Sequence, residues 1–166
     1  MSQEEKTEEL TGWQPYDLDR YAQELVLKYR LEKNVLNESH KMRMAVAYGL
    51  ERFWGEHLRL KQDKKAENQL KSQYWKDVWD KLAIILKRAD IDLPNDDVNS
   101  NLRNTTPEEK RRKEKEETEK ITAMAKRIWG EITLPEQRIS LMVLAQFCEA
   151  LVWWTQRYKK KENDNN

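Results

Sequence analysis

A nearly uncharged stretch, residues 141–154, interrupts a chain in which 37% of the residues are charged. It contains one charged side chain, Glu149, and it follows the sequence "TLPE", in which Thr133 and Glu136 have the spacing of a helix capping box. Apolar side chains cover nearly its whole helical circumference, which is typical of a buried helix. We therefore predict a long last helix that ends near Lys160. It is either the central post of a helical bundle or covered on one side by another subunit.

The rest of the chain also predicts helices. Only four glycines and four prolines occur in 166 residues, and helix-forming residue types dominate. Apolar residues recur every three or four positions, and no alternating strand pattern is found. The expected fold is an all-α, single-domain bundle of about five helices, with the C-terminal helix buried. The predicted helices span residues 16–33, 38–62, 66–89, 107–130 and 133–160. We interpret Gly49 and Gly55, inside the second helix, as points of close packing with a neighbouring helix.

Composition divides the chain into a bundle and two tails. We predict an acidic flexible tail at 1–14, a bundle at 15–161 and a polar tail at 162–166. Within the bundle, residues 90–106 are rich in Asp and Asn, and we expect a mobile loop there. The helix after Thr106 has no apolar stripe in its first half, so that half is expected to make few core contacts.

No catalytic motif stands out. The only histidines, His40 and His57, lack the additional ligands that a metal site needs. Cys148, the single cysteine, lies among apolar residues that disfavour a thiolate. There is no glycine-rich phosphate loop, and turn chemistry accounts for the carboxylates of "DIDLPNDD". We therefore expect a non-catalytic protein without cofactor or metal.

The location of the protein is also an expectation from composition. One cysteine cannot form an internal disulfide, which fits a reducing compartment. Residues 1–10 are acidic and polar, unlike a signal peptide. The longest apolar run is shorter than the roughly 20 residues of a membrane span. We predict a cytoplasmic protein without membrane contact.

Positive charge is local rather than global. The formal net charge is +1, although residues 61–130 hold 17 basic and 14 acidic side chains. Any nucleic-acid binding must therefore come from a local patch. The clusters that we select as candidate nucleic-acid-binding residues are Arg59, Lys61, Lys64, Lys65, Lys126 and Arg127, followed by Arg157, Lys159 and Lys160.

Two interpretations of these clusters stay open. Cations are stabilised at the C-terminal ends of helices, so they can simply compensate helix dipoles. Alternatively, if the ends of the second and fourth helices lie side by side, their clusters form one surface that follows a phosphate backbone.

Seven tryptophans are many for so small a chain. Trp75 and Trp79 are four residues apart and share a helix face, whereas Trp153 and Trp154 point about 100° apart. We expect most of the tryptophans to pack in the core. Some of them form an exposed patch in the alternative interpretation, and such a patch would bind a protein or stack nucleobases.

The C-terminal sequence "FCEALVWWTQRYKKK" resembles a known family. Over residues 141–161, an apolar helix that ends in an aromatic and basic tail is similar to the end of the small subunit of CRISPR effector complexes, as in type III-A. The chain departs from that pattern in its charged insertion at 95–120 and in its tryptophan content. Its acidic start, "SQEEKTEEL", also fits type I-D.

The resemblance implies a role in an antiviral ribonucleoprotein complex. Copies of the subunit would stack along the guide-RNA filament and contact the large and backbone subunits. A basic face would steady the guide–target duplex or the displaced strand. The main alternative is a helical adaptor that binds only protein, and an enzyme of unrecognised type is the remaining one.

Overall fold

The computed structural model describes residues 17–161, which fold into one all-α bundle. No strand occurs within these residues, so the predicted fold class is confirmed. The predicted tails at 1–14 and 162–166 lie outside the described residues. Within residues 17–161, two 3₁₀ turns, Val35–Asn37 and Val46–Tyr48, accompany six α-helices. The helices are α1 (Leu18–Tyr29), α2 (Glu38–Ala45), α3 (Leu50–Lys61), α4 (Ala66–Lys87), α5 (Pro107–Gly130) and α6 (Leu134–Tyr158).

The sixth helix arises because the expected second helix is broken at Gly49. This residue has φ 99° and ψ 170°, a conformation that L-residues with a side chain rarely adopt. The interpretation of Gly49 and Gly55 as close-packing points is wrong, because a Cβ atom at either position would meet nothing within 4 Å. Gly49 instead supplies the turn that separates α2 from α3.

The predicted capping box of the last helix is present, and α5 also has a side-chain cap. The Thr133 hydroxyl accepts from the Glu136 amide at 3.3 Å, and the Glu136 carboxylate accepts from the Thr133 amide at 3.4 Å. At the start of α5, the Thr106 hydroxyl accepts from the Glu109 amide at 3.2 Å. The Glu109 carboxylate accepts hydrogen bonds from the amide and the hydroxyl of Thr105 rather than from the Thr106 amide.

Helices α4 and α6 share the centre of the bundle, and α6 contacts α1, α2, α3 and α4. Helix α4 buries Tyr74, Trp75 and Trp79, and it contacts α1, α2, α3 and α6. Helix α6 buries one face, with Leu144, Cys148 and Leu151 fully enclosed. Its opposite face is exposed and includes Met142 and Trp153. The predicted burial of the C-terminal helix is therefore confirmed for this inner face, and coverage of its outer face by another subunit stays a prediction.

Ion pairs show that α1 and α4 run in opposite directions. Near the end of α1, the Lys28 ammonium lies 2.7 Å from the Asp77 carboxylate. Just before its beginning, the Asp17 carboxylate lies 3.0 Å from the Arg88 guanidinium. The end of α1 is therefore beside the middle of α4, and the segment that follows α1 reaches the beginning of α4, where Asn34 hydrogen-bonds to Glu67.

Helix α3 also runs antiparallel to α4. The Ser72 hydroxyl donates to the His57 carbonyl at 2.6 Å, and the Gln69 amide side chain donates to the Lys61 carbonyl at 2.6 Å. Helix α3 therefore ends where α4 begins.

Helix α6 runs in the same direction as α1. Trp154 Nε1 donates to the Asp19 carboxylate at 2.9 Å, and Arg30 Nε donates to the Tyr158 carbonyl at 2.7 Å. As a result, α1, α3 and α6 all finish at the end of the bundle where α4 begins.

The segment from Asp90 to Asn104 is irregular but lies against the bundle. Ile91, Leu93 and Val98 are buried in it, and Trp79 Nε1 donates to the Pro94 carbonyl at 3.0 Å. These contacts argue against the mobility predicted for this loop.

The first half of α5 makes few core contacts, as predicted. No residue from 101 to 123 is buried. Lys120 donates to the Asn99 carbonyl at 2.8 Å, and the helix upstream of it extends for about 20 Å.

Candidate nucleic-acid interface

The end of the bundle where α1, α3 and α6 finish carries an excess of positive charge. Its three segments are residues 30–34, 61–67 and 159–161, and we call them together the basic end. They hold eight Lys and Arg side chains against three carboxylates. The eight cations are Arg30, Lys33, Lys61, Lys64, Lys65, Lys159, Lys160 and Lys161. A surface of this composition attracts polyanions.

The C-terminal part of the basic end has a defined geometry. The bond from Arg30 Nε to the Tyr158 carbonyl ties the end of α1 to the end of α6. The Lys159 ammonium contacts the Asn37 side chain, which holds the C-terminal segment against the turn before α2. Between them lies an open cavity of about 200 Å³ whose lining includes Arg30, Lys33 and Lys160. The C-terminal segment is therefore anchored at this point.

The remaining cations of the basic end lie around the turn between α3 and α4. Lys61, Lys64 and Lys65 are exposed. Within residues 17–161 these three lysines form no ion pair, nor do Lys33 and Lys160. Their ammonium groups are free to contact an external anion.

The carboxylates of this turn are engaged within the protein. Asp63 accepts hydrogen bonds from the Lys65 amide at 2.9 Å and from the Asn68 side chain at 2.7 Å. The Lys65 amide is the main cause of the lowered pKa of Asp63. The pKa of Glu67 is also lowered, first by hydrogen bonding to Asn34. Both side chains stabilise the turn, and they offset part of the nearby positive charge, since Asp63 attracts Lys65 and Glu67 attracts Lys33 and Lys71.

Two of the predicted arginines are neutralised locally. Arg59 Nε donates to the Glu56 carboxylate at 2.8 Å. Arg127 forms ion pairs with Asp96 and, at 2.9 Å, with Glu131. The pKa of each guanidinium is raised, chiefly by the bonded Glu carboxylate. Neither arginine offers an unpaired charge comparable with the free lysines.

The structure does not bring Lys126 and Arg127 beside the end of α3. The neighbouring Trp129 and Ile128 line a cavity with Leu50, at the beginning of α3. The ends of the two helices therefore lie apart, and the single surface expected from their approach is not formed. The basic side chain of α5 that lies near Lys61 is Lys120, not Lys126 or Arg127. Lys61 and Lys120 both lower the pKa of Asp97, although hydrogen bonding to Asn99 is the larger cause.

Three cations of this surface were not among the candidates: Lys161, which directly follows Lys160, and the pair Arg30 and Lys33. The pair follows the end of α1, as the other basic clusters follow their helices. The same rule of cations after a helix would have selected them. Their position beside Lys159–Lys161 depends on the packing of α1 against α6, for which the sequence carries no local signal.

Groups with potential reactivity lie elsewhere in the protein. Burial raises the pKa of the Cys148 thiol. Burial also lowers the pKa of His57, whose Nδ1 contacts the Trp54 carbonyl. Within residues 17–161, no group of three His, Cys, Asp or Glu side chains is arranged to hold a metal ion. In the same range, no helix has the length and apolar character required to cross a bilayer.

Comparison of the chain with protein-family models, with curated proteins and with solved structures found no match.

Proposed function

We propose that this protein is a non-catalytic subunit that binds the phosphate backbone of nucleic acid through its basic end. The observation that carries the proposal is the position of Lys64 and Lys65. They immediately precede α4, and Lys65 is its N-cap residue. The N-terminus of a helix is the positive end of its dipole, so cations there are unfavourable. Dipole compensation can account for Lys61 and Lys159, but it cannot account for these two lysines.

An external polyanion explains the whole arrangement. Lys64 and Lys65 are adjacent to each other, and Lys33 from the end of α1 approaches Glu67 on the same turn, which adds to the repulsion between cations in the free protein. A phosphate backbone relieves that repulsion and releases its own counterions on binding. Contacts of this kind hold a nucleic acid without reading its sequence.

The proposed setting is an RNA-guided CRISPR effector complex. It is supported by the resemblance of residues 141–161 to the small subunits of such complexes. In this setting the guide RNA reads the target by base pairing, while protein subunits supply positive contacts to the backbone. Copies of the chain would stack beside the large and backbone subunits and hold the guide–target duplex or the displaced strand.

The test compares two charge reversals of equal size. The variant K64E/K65E changes the basic end, and the control K87E/K126E changes two exposed lysines elsewhere. RNA affinity is measured by fluorescence anisotropy between about 50 mM and about 200 mM salt. For single strands, each lost phosphate contact makes the slope of log K against log salt shallower by about 0.7. We expect K64E/K65E to reduce both affinity and slope, and the control to retain the wild-type slope.

Two results would contradict binding at the basic end. The first is the absence of measurable RNA binding by the wild-type protein at low salt. The second is an equal loss of slope in both variants, because that result would show that the slope depends only on the net charge of the protein.

The setting in a CRISPR complex has a separate test. The tagged chain is purified from its natural host, and the RNA that accompanies it is sequenced. Guide RNAs with a shared repeat-derived segment are expected. A heterogeneous RNA population would remove the CRISPR assignment and leave RNA binding itself intact.

A protein-only adaptor is the second candidate function, and exposed apolar residues favour it. Trp129 is 73% exposed and Tyr48 66% exposed, and both line a cavity between the end of α5 and the beginning of α3. If the wild-type protein binds no RNA, this function becomes the better proposal.

A further inference from the structure

The outer face of α6 carries a tryptophan that is fixed in place. The guanidinium carbon of Arg157 lies 3.1 Å from the centroid of the Trp153 ring, and Arg157 Nη1 donates to the Trp153 carbonyl at 2.9 Å. A cation over an aromatic face is attracted by the ring quadrupole. Among the described residues, Trp153 nevertheless remains 47% exposed. Its indole is therefore held in one orientation and still offers surface for contact.

Two further aromatic rings support this position. Trp154 packs edge-on against Trp153 with a centroid separation of 4.7 Å, and it stacks on Tyr158 at 5.1 Å with 24° between the planes. Trp154 is itself fixed by its hydrogen bond to Asp19. Trp129 differs, since it is more exposed and has no aromatic or cationic partner within residues 17–161.

Trp153 lies close to the basic end. Arg157 follows it by one helical turn, and Lys159–Lys161 follow directly after α6. At 1.5 Å per residue, Trp153 is about 10 Å from the lysines along the axis of α6. Basic grooves combined with aromatic rings are the usual means by which proteins hold single-stranded nucleic acid.

A cavity next to Trp153, on the side away from the lysines, is lined partly by acidic residues. It has a volume of about 600 Å³, and its lining includes Asp19, Gln146 and Glu149. The carboxylates repel phosphate, so the backbone of a nucleic acid would be directed towards the lysines. Glu149, 3.6 Å from Arg43, and the Gln146 amide can accept hydrogen bonds from the amino groups of a base.

We propose that Trp153 is a stacking platform for a nucleobase, so that the basic end prefers single-stranded nucleic acid to a duplex. This inference rests on the proposed function, because the lysines hold the backbone from which the base extends. The base lies against the open surface of Trp153, with its edge towards Gln146 and Glu149. In a duplex the bases are already paired and stacked, so they are not available to Trp153.

The experiment uses three RNA probes with the same number of phosphates: a single strand, an abasic strand and a duplex. Binding of the full chain is measured by fluorescence anisotropy. We expect the single strand to bind about 5- to 150-fold more tightly than the abasic strand. The variant Trp153→Ala should lose this preference and keep its affinity for the abasic strand. Trp153→Phe should retain most of the preference for the single strand over the abasic strand. The control Trp129→Ala should retain all of that preference.

The outcomes separate this inference from the proposed function. Equal wild-type affinity for the single and abasic strands would overturn the stacking platform and leave phosphate binding in place. Binding to none of the probes would overturn both. An equal loss for all three probes in Trp153→Ala would assign Trp153 to the fold, a conclusion that circular dichroism would test independently. If Trp153→Ala keeps the preference but disrupts subunit assembly, Trp153 belongs to a protein interface.

Discussion

Three hydroxyl groups meet in the core and explain why polar residues occur on buried helix faces. The Ser39 hydroxyl lies 2.6 Å from the Tyr74 hydroxyl and 2.8 Å from that of Thr155. The three residues belong to α2, α4 and α6, and all are buried. Each group has a partner, so its burial carries no penalty for a lost hydrogen bond. Burial also raises the pKa of Tyr74, which keeps its hydroxyl protonated.

His57 predicts a pH dependence of stability. Burial lowers its pKa, and Lys76 and Lys61 act in the same direction, whereas the Trp54 carbonyl opposes them. The unfolded chain has the ordinary His pKa of about 6.5, so below that pH it takes up a proton that the folded state resists. Stability should therefore fall as the pH drops from about 7.5 to about 5.5, by at most about 1.4 kcal/mol per pH unit from this group. Urea unfolding at several pH values measures this change in the free energy of unfolding.

The other histidine provides the control. His40 is exposed, so His40→Gln should retain the wild-type pH dependence. His57→Gln should be less stable at neutral pH and should show a flatter profile. An unchanged profile in His57→Gln would assign the pH dependence to other groups.

At the scale of elements, the two glycines near and in α3 have opposite roles. Gly49 has a positive φ, and an alanine there should cost about 1–3 kcal/mol in strain. Gly55 lies inside the helix with open space at its Cβ position, so Gly55→Ala should stabilise the protein by about 1 kcal/mol. Thermal unfolding of the two variants measures both effects. Destabilisation by Gly55→Ala would mean that the helix packs more closely at this point.

The segment from Asp90 to Asn104 predicts a distinct pattern of hydrogen exchange. Residues 91–98 pack on α4 through Ile91, Leu93 and Val98, while residues 101–104 are exposed. The Ile91 amide donates to the Leu86 carbonyl at 3.0 Å, and burial adds to the protection of Ile91, Leu93 and Val98. We expect slower exchange at Ile91, Leu93 and Val98 than at 101–104. Fast exchange throughout 90–104 would restore the mobile loop predicted from composition.

The directions of the helices concentrate basic residues at one end of the molecule. Because α1, α3 and α6 finish together, cations that follow each of them converge, although the net charge of the chain is only +1. The first half of α5 continues beyond Lys120 at this end and contributes charged residues of both signs. Charge placement rather than net charge therefore determines where a polyanion can bind.

Binding at the basic end predicts that RNA stabilises the folded protein. A ligand present at about 100 times its Kd adds about 2.7 kcal/mol to the free energy of unfolding when it binds only the folded state. The shift in melting temperature with single-stranded RNA measures this gain, which should decline with added salt. K64E/K65E should show a smaller shift at the same RNA concentration. A shift that is insensitive to salt would show that the contact is not to phosphate.

Much of the fold follows from the sequence by itself. The all-α class, the Thr106 and Thr133 caps and the buried stripes of α1 and α4 depend on residues within about four positions of one another. Helix periodicity and capping act over that distance, so a linear reading detects them. The basic residues after α3 and α6 were found in the same way.

Tertiary structure decided which of these local features meet. The bond between Arg30 and Tyr158 joins residues 128 positions apart, and no local pattern anticipates it. Packing likewise placed α4 at the centre beside α6, left Trp153 exposed, and separated Arg127 from Lys61. Apolar stripes show which face of a helix is buried but not against which partner, because burial of apolar surface is non-directional. Only the simultaneous packing of all six helices sets their directions and so brings the basic end together.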